Sequence, residues 1–391
     1  MFIEKVKELS KRVERIYIYG AGLYGQRVYK LMQKSGIPIQ GFIVSNDAQC
    51  NRNIFDLQVQ CIRDVDLKNA GIIIGANRRN SIEILEILFE LHFDNNITIC
   101  ACEYLDKRDI DEEYYRIPSV EITTVIGCRI NCKYCPQKLL LANYFRDDPN
   151  REAVMSMDTF MTCLGHLPPK CHIMFCGMAE PFLNPKCADM IYQTYKSGRG
   201  IELYTTLVGT SAEEIKKIWD IPMNYVNIHA ADMNGYADIP VTKEYFELFE
   251  KVIDHRRSDG KAFVNTCNAQ GEEHPRIKEI CAGKVDISTI LHDRAGNLDG
   301  DMLIRKRNDE GALSCTLCGQ DLNHNVLLPD GTLLLCCMDY GMKHVLGNLK
   351  TETYEEIMRG EKIAKIREGL MGNTDIEILC RSCSNAARIS K

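Results

Sequence analysis

The stretch Ser119–Gln137, SVEITTVIGCRINCKYCPQ, decides how this chain is read. Its first nine residues are apolar and β-branched and close on Gly127, the pattern of a buried strand. Cys128, Cys132 and Cys135 follow at once in a C-x3-C-x2-C spacing. Three thiolates within eight residues reach three corners of one metal–sulfur cubane, and cysteine thiolates are the usual protein holders of iron–sulfur clusters. With no fourth cysteine nearby, one iron is left open, which marks a catalytic rather than a closed structural site. A zinc site completed from elsewhere is the competing reading, and the spacing with an aromatic before the last cysteine argues against it.

Beyond Cys135 the chain alternates strands and helices with short connections, the pattern of parallel βαβ units. Strands are expected at 172–177, 201–207, 225–231, 262–268 and 285–292. With the strand before Cys128 this makes six repeats, too few for an eight-stranded barrel. Parallel strands bring their C-terminal ends to one face, and polar residues gather there: Gly177-Met178-Ala179-Glu180-Pro181, Thr205-Thr206, His229, Cys267-Asn268 and Arg294 to Asn297.

The cysteine loop and these strand ends resemble the radical S-adenosylmethionine (SAM) enzymes. The resemblance implies a partial (β/α)6 barrel with a [4Fe-4S] cluster on Cys128, Cys132 and Cys135, its open iron chelating SAM. Tyr134 would sit near the adenine. Gly177, Met178, Ala179 and Glu180 resemble the family's Gly-Gly-Glu-Pro element, whose backbone meets the SAM amino group; Met178 and Ala179 depart from the usual residues. Thr206 would touch ribose, against the plainer reading that it ends a strand. The reduced cluster would cleave SAM to a 5′-deoxyadenosyl radical that takes hydrogen from substrate. Arg294 is expected to contact substrate and Cys267 to return a hydrogen atom to a product radical; a buried structural thiol is the plainer reading of Cys267, as a core imidazole is of His229.

Toward the N-terminus, the strand IYIY (16–19) runs into Gly20-Ala21-Gly22-Leu23-Tyr24-Gly25, then a helical stretch and a second strand ending near Asp47. Strand–GxGxxG–helix is the context in which glycines admit a phosphate to a helix N-terminus. Gly20, Gly22 and Gly25 are the expected phosphate contacts and Asp47 the ribose contact. These hundred residues resemble Rossmann-like domains of sugar-modifying and surface-polysaccharide proteins, which implies a nucleotide or nucleotide-sugar here; a fold that binds no nucleotide is the alternative.

The last 77 residues hold six cysteines. Leu328-Pro329-Asp330-Gly331 reads as a hairpin turn that brings Cys336 back toward Cys318. A helix over about 353–370 leads to Cys380-Arg-Ser-Cys383. The region resembles the SPASM domain or its shorter twitch form, which implies one auxiliary [4Fe-4S] cluster on Cys318, Cys336, Cys380 and Cys383. Cys315 is an alternative to Cys318, and a zinc site on Cys315, Cys318, Cys380 and Cys383 is the competing assignment.

The expected architecture is thus α/β throughout: a Rossmann-like domain at 1–110, the partial barrel at 115–305 and the auxiliary-cluster domain at 310–391. Of 391 residues, 45% are hydrophobic and the net charge is −6, which does not suit a nucleic-acid binder. No apolar run approaches the ~20 residues of a membrane span, and the charged, amphipathic N-terminus is not a signal peptide. The chain is therefore expected in the cytoplasm, where the close-spaced groups among its 19 cysteines bind metal rather than form disulfides. The function expected is oxidation or epimerisation of a small molecule, a sugar, nucleotide-sugar or polyol, with electrons from a flavodoxin or ferredoxin. A peptide-modifying maturase is the alternative within enzymes, and a non-catalytic iron–sulfur or zinc protein the alternative outside them.

Overall fold

The computed structural model describes residues 2–45, 50, 52–76, 78–94, 97–105, 117–288, 294–298 and 310–389. The chain divides into two compact units, Met1–Tyr115 and Arg116–Lys391.

In the first unit six strands, β1 (Arg15–Tyr19), β2 (Gly41–Val44), β3 (Arg52–Ile54), β4 (Leu57–Cys61), β5 (Ala70–Ile74) and β6 (Thr98–Cys100), lie in the order β3-β4-β2-β1-β5-β6. All neighbours are parallel except the β3–β4 hairpin. Period-two alternation sends Ile16 and Ile18 of β1 into one core and Tyr17 and Tyr19 into another. Both faces are therefore buried, with α1 (Phe2–Ser10) and α2 (Leu23–Lys34) on the first and α3 (Arg78–Glu90) on the second. The glycine turn is tight for a packing reason: a Cβ on Gly25 would lie 1.9 Å from the Gly20 carbonyl oxygen. Cys50 and Cys61 form a disulfide, a pairing that the expectation of a reducing compartment does not predict.

The second unit is built on one nine-stranded sheet. β7 (Ser119–Ile122), β8 (His172–Phe175), β9 (Ile201–Thr205), β10 (Tyr225–His229), β11 (Thr266–Asn268) and β12 (Ile287–Ser288) are mutually parallel and adjacent in sequence order. This is the six-repeat parallel sheet of the partial barrel. Helices cross between the strands, among them α4 (Gln137–Tyr144), α5 (Met157–His166), α6 (Cys187–Lys196), α7 (Ala212–Lys216), α8 (Lys243–Asp254) and α9 (Pro275–Cys281).

The C-terminal region extends the same sheet. After β13 (Leu313–Cys315), β14 (His324–Leu327) pairs parallel with β7, and β15 (Thr332–Leu334) and β16 (Val345–Asn348) continue it antiparallel. The turn between β14 and β15 is the Leu328–Gly331 segment, with Gly331 at φ 88°. The single helix expected over 353–370 is two, α10 (Tyr354–Arg359) and α11 (Glu361–Leu370), separated by Gly360. β17 (Ala386–Arg388) pairs with β13 and returns the chain end to Cys315. Among the described residues no helix is long and apolar enough to cross a membrane.

Candidate active site

Parallel strands deliver their C-terminal ends to one rim, and there Cys128, Cys132 and Cys135 line a cleft. Tyr134, Gly177, Met178, Ala179, Glu180, Thr206 and Arg294 line it too, so ten residues expected to act together from sequence are brought together. His229 lines the cleft as well, at the last residue of β10, where the strand opens onto the rim, and is not the enclosed core imidazole of the plainer reading.

Two of the three cysteines accept hydrogen bonds from neighbouring residues. The Glu180 N–H reaches Cys128 Sγ at 3.4 Å, and the Gln137 side chain donates to Cys135 Sγ at 3.4 Å. Burial raises the Cys132 thiol to about 12 and Cys128 above the usual range. Bare thiolates are costly here, which is the condition a bound metal relieves. The donor set, three thiols on one short loop facing a cleft, fits a cluster with one open position.

The Gly177–Glu180 element is fixed by contact with Thr123, the residue that follows β7. Gly177 has φ 67°, and a Cβ there would lie 2.4 Å from Thr123 Oγ1. The Met178 N–H donates to that same hydroxyl at 3.1 Å, and its carbonyl accepts from Gln137. Met178 is 1% exposed. Glu180 is buried; its carboxylate accepts from the hydroxyls of Thr205 and Thr206, both at 2.7 Å, and from the N–H groups of Thr206 and Phe182. Burial pushes its carboxyl up, against those hydrogen bonds.

Cys267 stands apart. Strand alternation turns it away from Thr266, whose hydroxyl bonds Tyr225 and Asn227, and toward Cys281 at 3.8 Å. It is fully buried and does not line the cleft, so the structure does not bring it together with the other candidates. Gly20, Gly22 and Gly25 belong to the first unit, where a Cβ on Gly22 would meet no described atom within 4 Å. Asp47 lies outside the described residues.

A second cavity is lined by five cysteines: Cys315, Cys318, Cys336, Cys380 and Cys383. Both Cys318 and Cys315 are therefore present. Backbone N–H groups of Leu317 and Asn385 point at Cys315 Sγ and Cys383 Sγ, each at 3.4 Å. A hydrogen bond from Cys318 holds Cys315 down to about 6, while Cys318 is raised far above its usual range. Four thiolates from three chain segments suit full ligation of a cluster.

Cys337 faces the other way. Its sulfur lies within 4.8 Å of ligand atoms on Glu121 and His324. Glu121 and His324 pair at 2.7 Å, and Ser119 Oγ meets the other imidazole nitrogen at 2.6 Å. Burial pushes the Glu121 carboxyl up, but His324 outweighs it and holds it low. Sequence reasoning had no signal for this group, since 203 residues separate the pair.

Residues 318–384 match the SPASM family, an iron–sulfur cluster-binding domain. The three-cysteine loop stands on a six-repeat parallel sheet, and the matched iron–sulfur cluster-binding domain follows it in the same chain. No curated protein matches the chain. Among solved structures it is similar to BtrN in complex with AdoMet and 2-DOIA, at 17% identity over 69% of this chain and 93% of that one, TM-score 0.47. It is also similar to native anSMEcpe with bound AdoMet, at 14% identity over 68% and 86%, TM-score 0.38. A third, Streptococcus suis SuiB bound to precursor peptide SuiA, shows 10% identity over 78% and 81%, TM-score 0.44.

Proposed function

We propose that the chain is an enzyme that uses SAM to abstract hydrogen from a sugar, nucleotide-sugar or polyol, and completes its oxidation or epimerisation. The observation that carries this reading is that the three-cysteine loop, the Gly177–Glu180 element and the polar pair His229 and Arg294 face one cleft. Cys128, Cys132 and Cys135 would hold a [4Fe-4S] cluster, and four of the five C-terminal cysteines a second, with Cys318, Cys336, Cys380 and Cys383 our assignment. When bound, the first supplies reductive cleavage of SAM to a hydrogen-abstracting radical, and the second a one-electron store.

The chain's own residues do the rest. Gly177 keeps the turn after β8 flush against Thr123, so that backbone rather than side chain faces SAM. Glu180 ties the ends of β8 and β9 together through Thr205 and Thr206 and so sets the width of the cleft. Burial, with the nearby Arg294 charge, holds His229 down to about 4. It is thus a neutral hydrogen-bond acceptor for a substrate hydroxyl. Arg294 offers a fixed cation to an oxygen of the same substrate. Cofactor radical chemistry needs this orientation and exclusion of side reactions from the protein.

For the first unit we propose a nucleotide or nucleotide-sugar at the Gly20–Gly25 turn, supported by the lack of any described atom within 4 Å of a Cβ on Gly22, at the start of α2. The domain bounds 1–110, 115–305 and 310–391, cytoplasmic location and a flavodoxin or ferredoxin donor belong to the same reading.

The test is anaerobic reconstitution followed by SAM turnover under a reductant. About eight irons per chain with formation of 5′-deoxyadenosine are expected, and Cys128→Ala abolishes the latter. If that variant still cleaves SAM, the assignment of the loop is wrong. If sugars and polyols are never oxidised or epimerised while peptides are modified, the substrate class is wrong.

A further inference from the structure

We infer that Tyr340 and Arg294 couple the two cysteine sites, so that filling the C-terminal one raises the electron affinity of a cluster on Cys128, Cys132 and Cys135. This rests on the reading that those cysteines hold a cluster.

Tyr340 is 1% exposed, and its hydroxyl oxygen lies 3.3 Å from Cys135 Sγ. In the protein alone the thiol donates; once Cys135 is a metal-bound thiolate, the hydroxyl is the donor. The Arg294 guanidinium stands 5.7 Å from the Tyr340 ring centroid, and its charge strengthens the O–H as a donor. Arg294 is itself held in place: Asn297 Nδ2 donates to the Arg294 carbonyl at 2.7 Å and to the Met338 carbonyl at 3.3 Å.

Tyr340 comes four residues after Cys336, and a stiff turn joins them. The Asp339 N–H donates to the Cys336 carbonyl at 3.1 Å and the Tyr340 N–H to the Met338 carbonyl at 3.0 Å. Asp339 is fully buried; its carboxylate accepts from the Lys343 and His344 N–H groups at 2.8 and 2.7 Å. His344 Nε2 in turn accepts from the Leu379 N–H at 3.0 Å, one residue before Cys380. Two chain segments that line the C-terminal cavity are thus braced against the residue touching Cys135. Ligating Cys336 and Cys380 holds Tyr340 at its bond; emptying the cavity releases it.

A hydrogen bond to a ligating sulfur favours the more negative, reduced cluster and so raises its potential. The experiment is a double-mutant cycle on the full chain: wild type, Tyr340→Phe, Cys383→Ser and both together. Iron content is measured in each, and the midpoint potential of the SAM-binding cluster is followed by electron paramagnetic resonance.

Each single variant is expected to shift the midpoint to a more negative value, and Cys383→Ser to add no shift in the Tyr340→Phe background. Arg294→Gln, which leaves the hydroxyl in place, should move it the same way by less. Equal potentials in wild type and Tyr340→Phe, or shifts that simply add, overturn the coupling. Absence of iron from the three-cysteine loop overturns the reading under Proposed function and this one with it. Iron present at an unmoved potential overturns this inference alone.

Discussion

Glu180 and Thr206, 26 residues apart in sequence, are bound to each other: the threonine hydroxyl donates to Glu180 Oε2 at 2.7 Å. The backbone N–H of Thr206 donates to the same oxygen. Neither side chain is idle in the protein alone, so their contribution to a bound SAM is positional. In Glu180→Gln an amide NH₂ replaces one acceptor oxygen and faces donors. We expect a loss of about 1–3 kcal/mol in urea unfolding of the apo protein, together with weaker SAM binding by calorimetry. Unchanged stability would contradict the brace.

His229 should stay neutral where an ordinary imidazole titrates. Its pKa is held down to about 4 by burial, aided by Arg294, against an ordinary 6.5. A depressed folded value means that its contribution to stability is present above 6.5 and is lost as pH falls through the folded value. Imidazole NMR between pH 8 and 5 should show no protonation of His229, and a midpoint near 6.5 would refute the assignment. His229→Ala should lower substrate turnover by about 10-fold, the loss of one hydrogen bond, while uncoupled SAM cleavage continues.

The adjacent cysteines 336 and 337 should behave in opposite ways. Cys336 lines the C-terminal cavity, and Cys337 faces Glu121 and His324. Cys336→Ser is expected to lower bound iron by about four per chain, one cluster. Cys337→Ser should leave iron content as in wild type. The check is iron analysis after identical reconstitution, and equal losses would show the two to be interchangeable.

Cys315 should be the fast-reacting thiol of the apo C-terminal cavity. The hydrogen bond from Cys318 holds it below the usual thiol range, which favours its thiolate, while Cys318 is pushed up. Brief alkylation with iodoacetamide followed by peptide mass analysis should label Cys315 ahead of Cys318. In the reconstituted protein, continued labelling of Cys315 with Cys318 protected identifies Cys318 as the ligand; the reverse pattern exchanges them.

Much of this molecule was legible because its determinants are local. The C-x3-C-x2-C spacing lies within eight residues, the strand before it is a run of β-branched side chains, and the Leu328–Gly331 turn carries its own residues. The six parallel strands were readable because each is an apolar run followed by a helical one. Topology alone puts the C-terminal ends of parallel strands on one rim, and Glu180 and Thr206 follow β8 and β9 onto it.

What the chain could not disclose by itself is which way a side chain faces when its neighbours come from distant segments. Cys267 and His229 both lie in strands, yet alternation buries the first against Cys281 and opens the second to the cleft. The β3–β4 hairpin with its Cys50–Cys61 disulfide, the break at Gly360, and the Glu121–His324 pair depend on tertiary contact in the same way. Sequence spacing determined the chemistry at each cysteine group, because ligation needs only thiolates within reach of one another. Tertiary structure decided how the groups communicate, because the pairing of β14 with β7 carries Tyr340 to Cys135 across 205 residues, and no local pattern encodes a contact made at that separation.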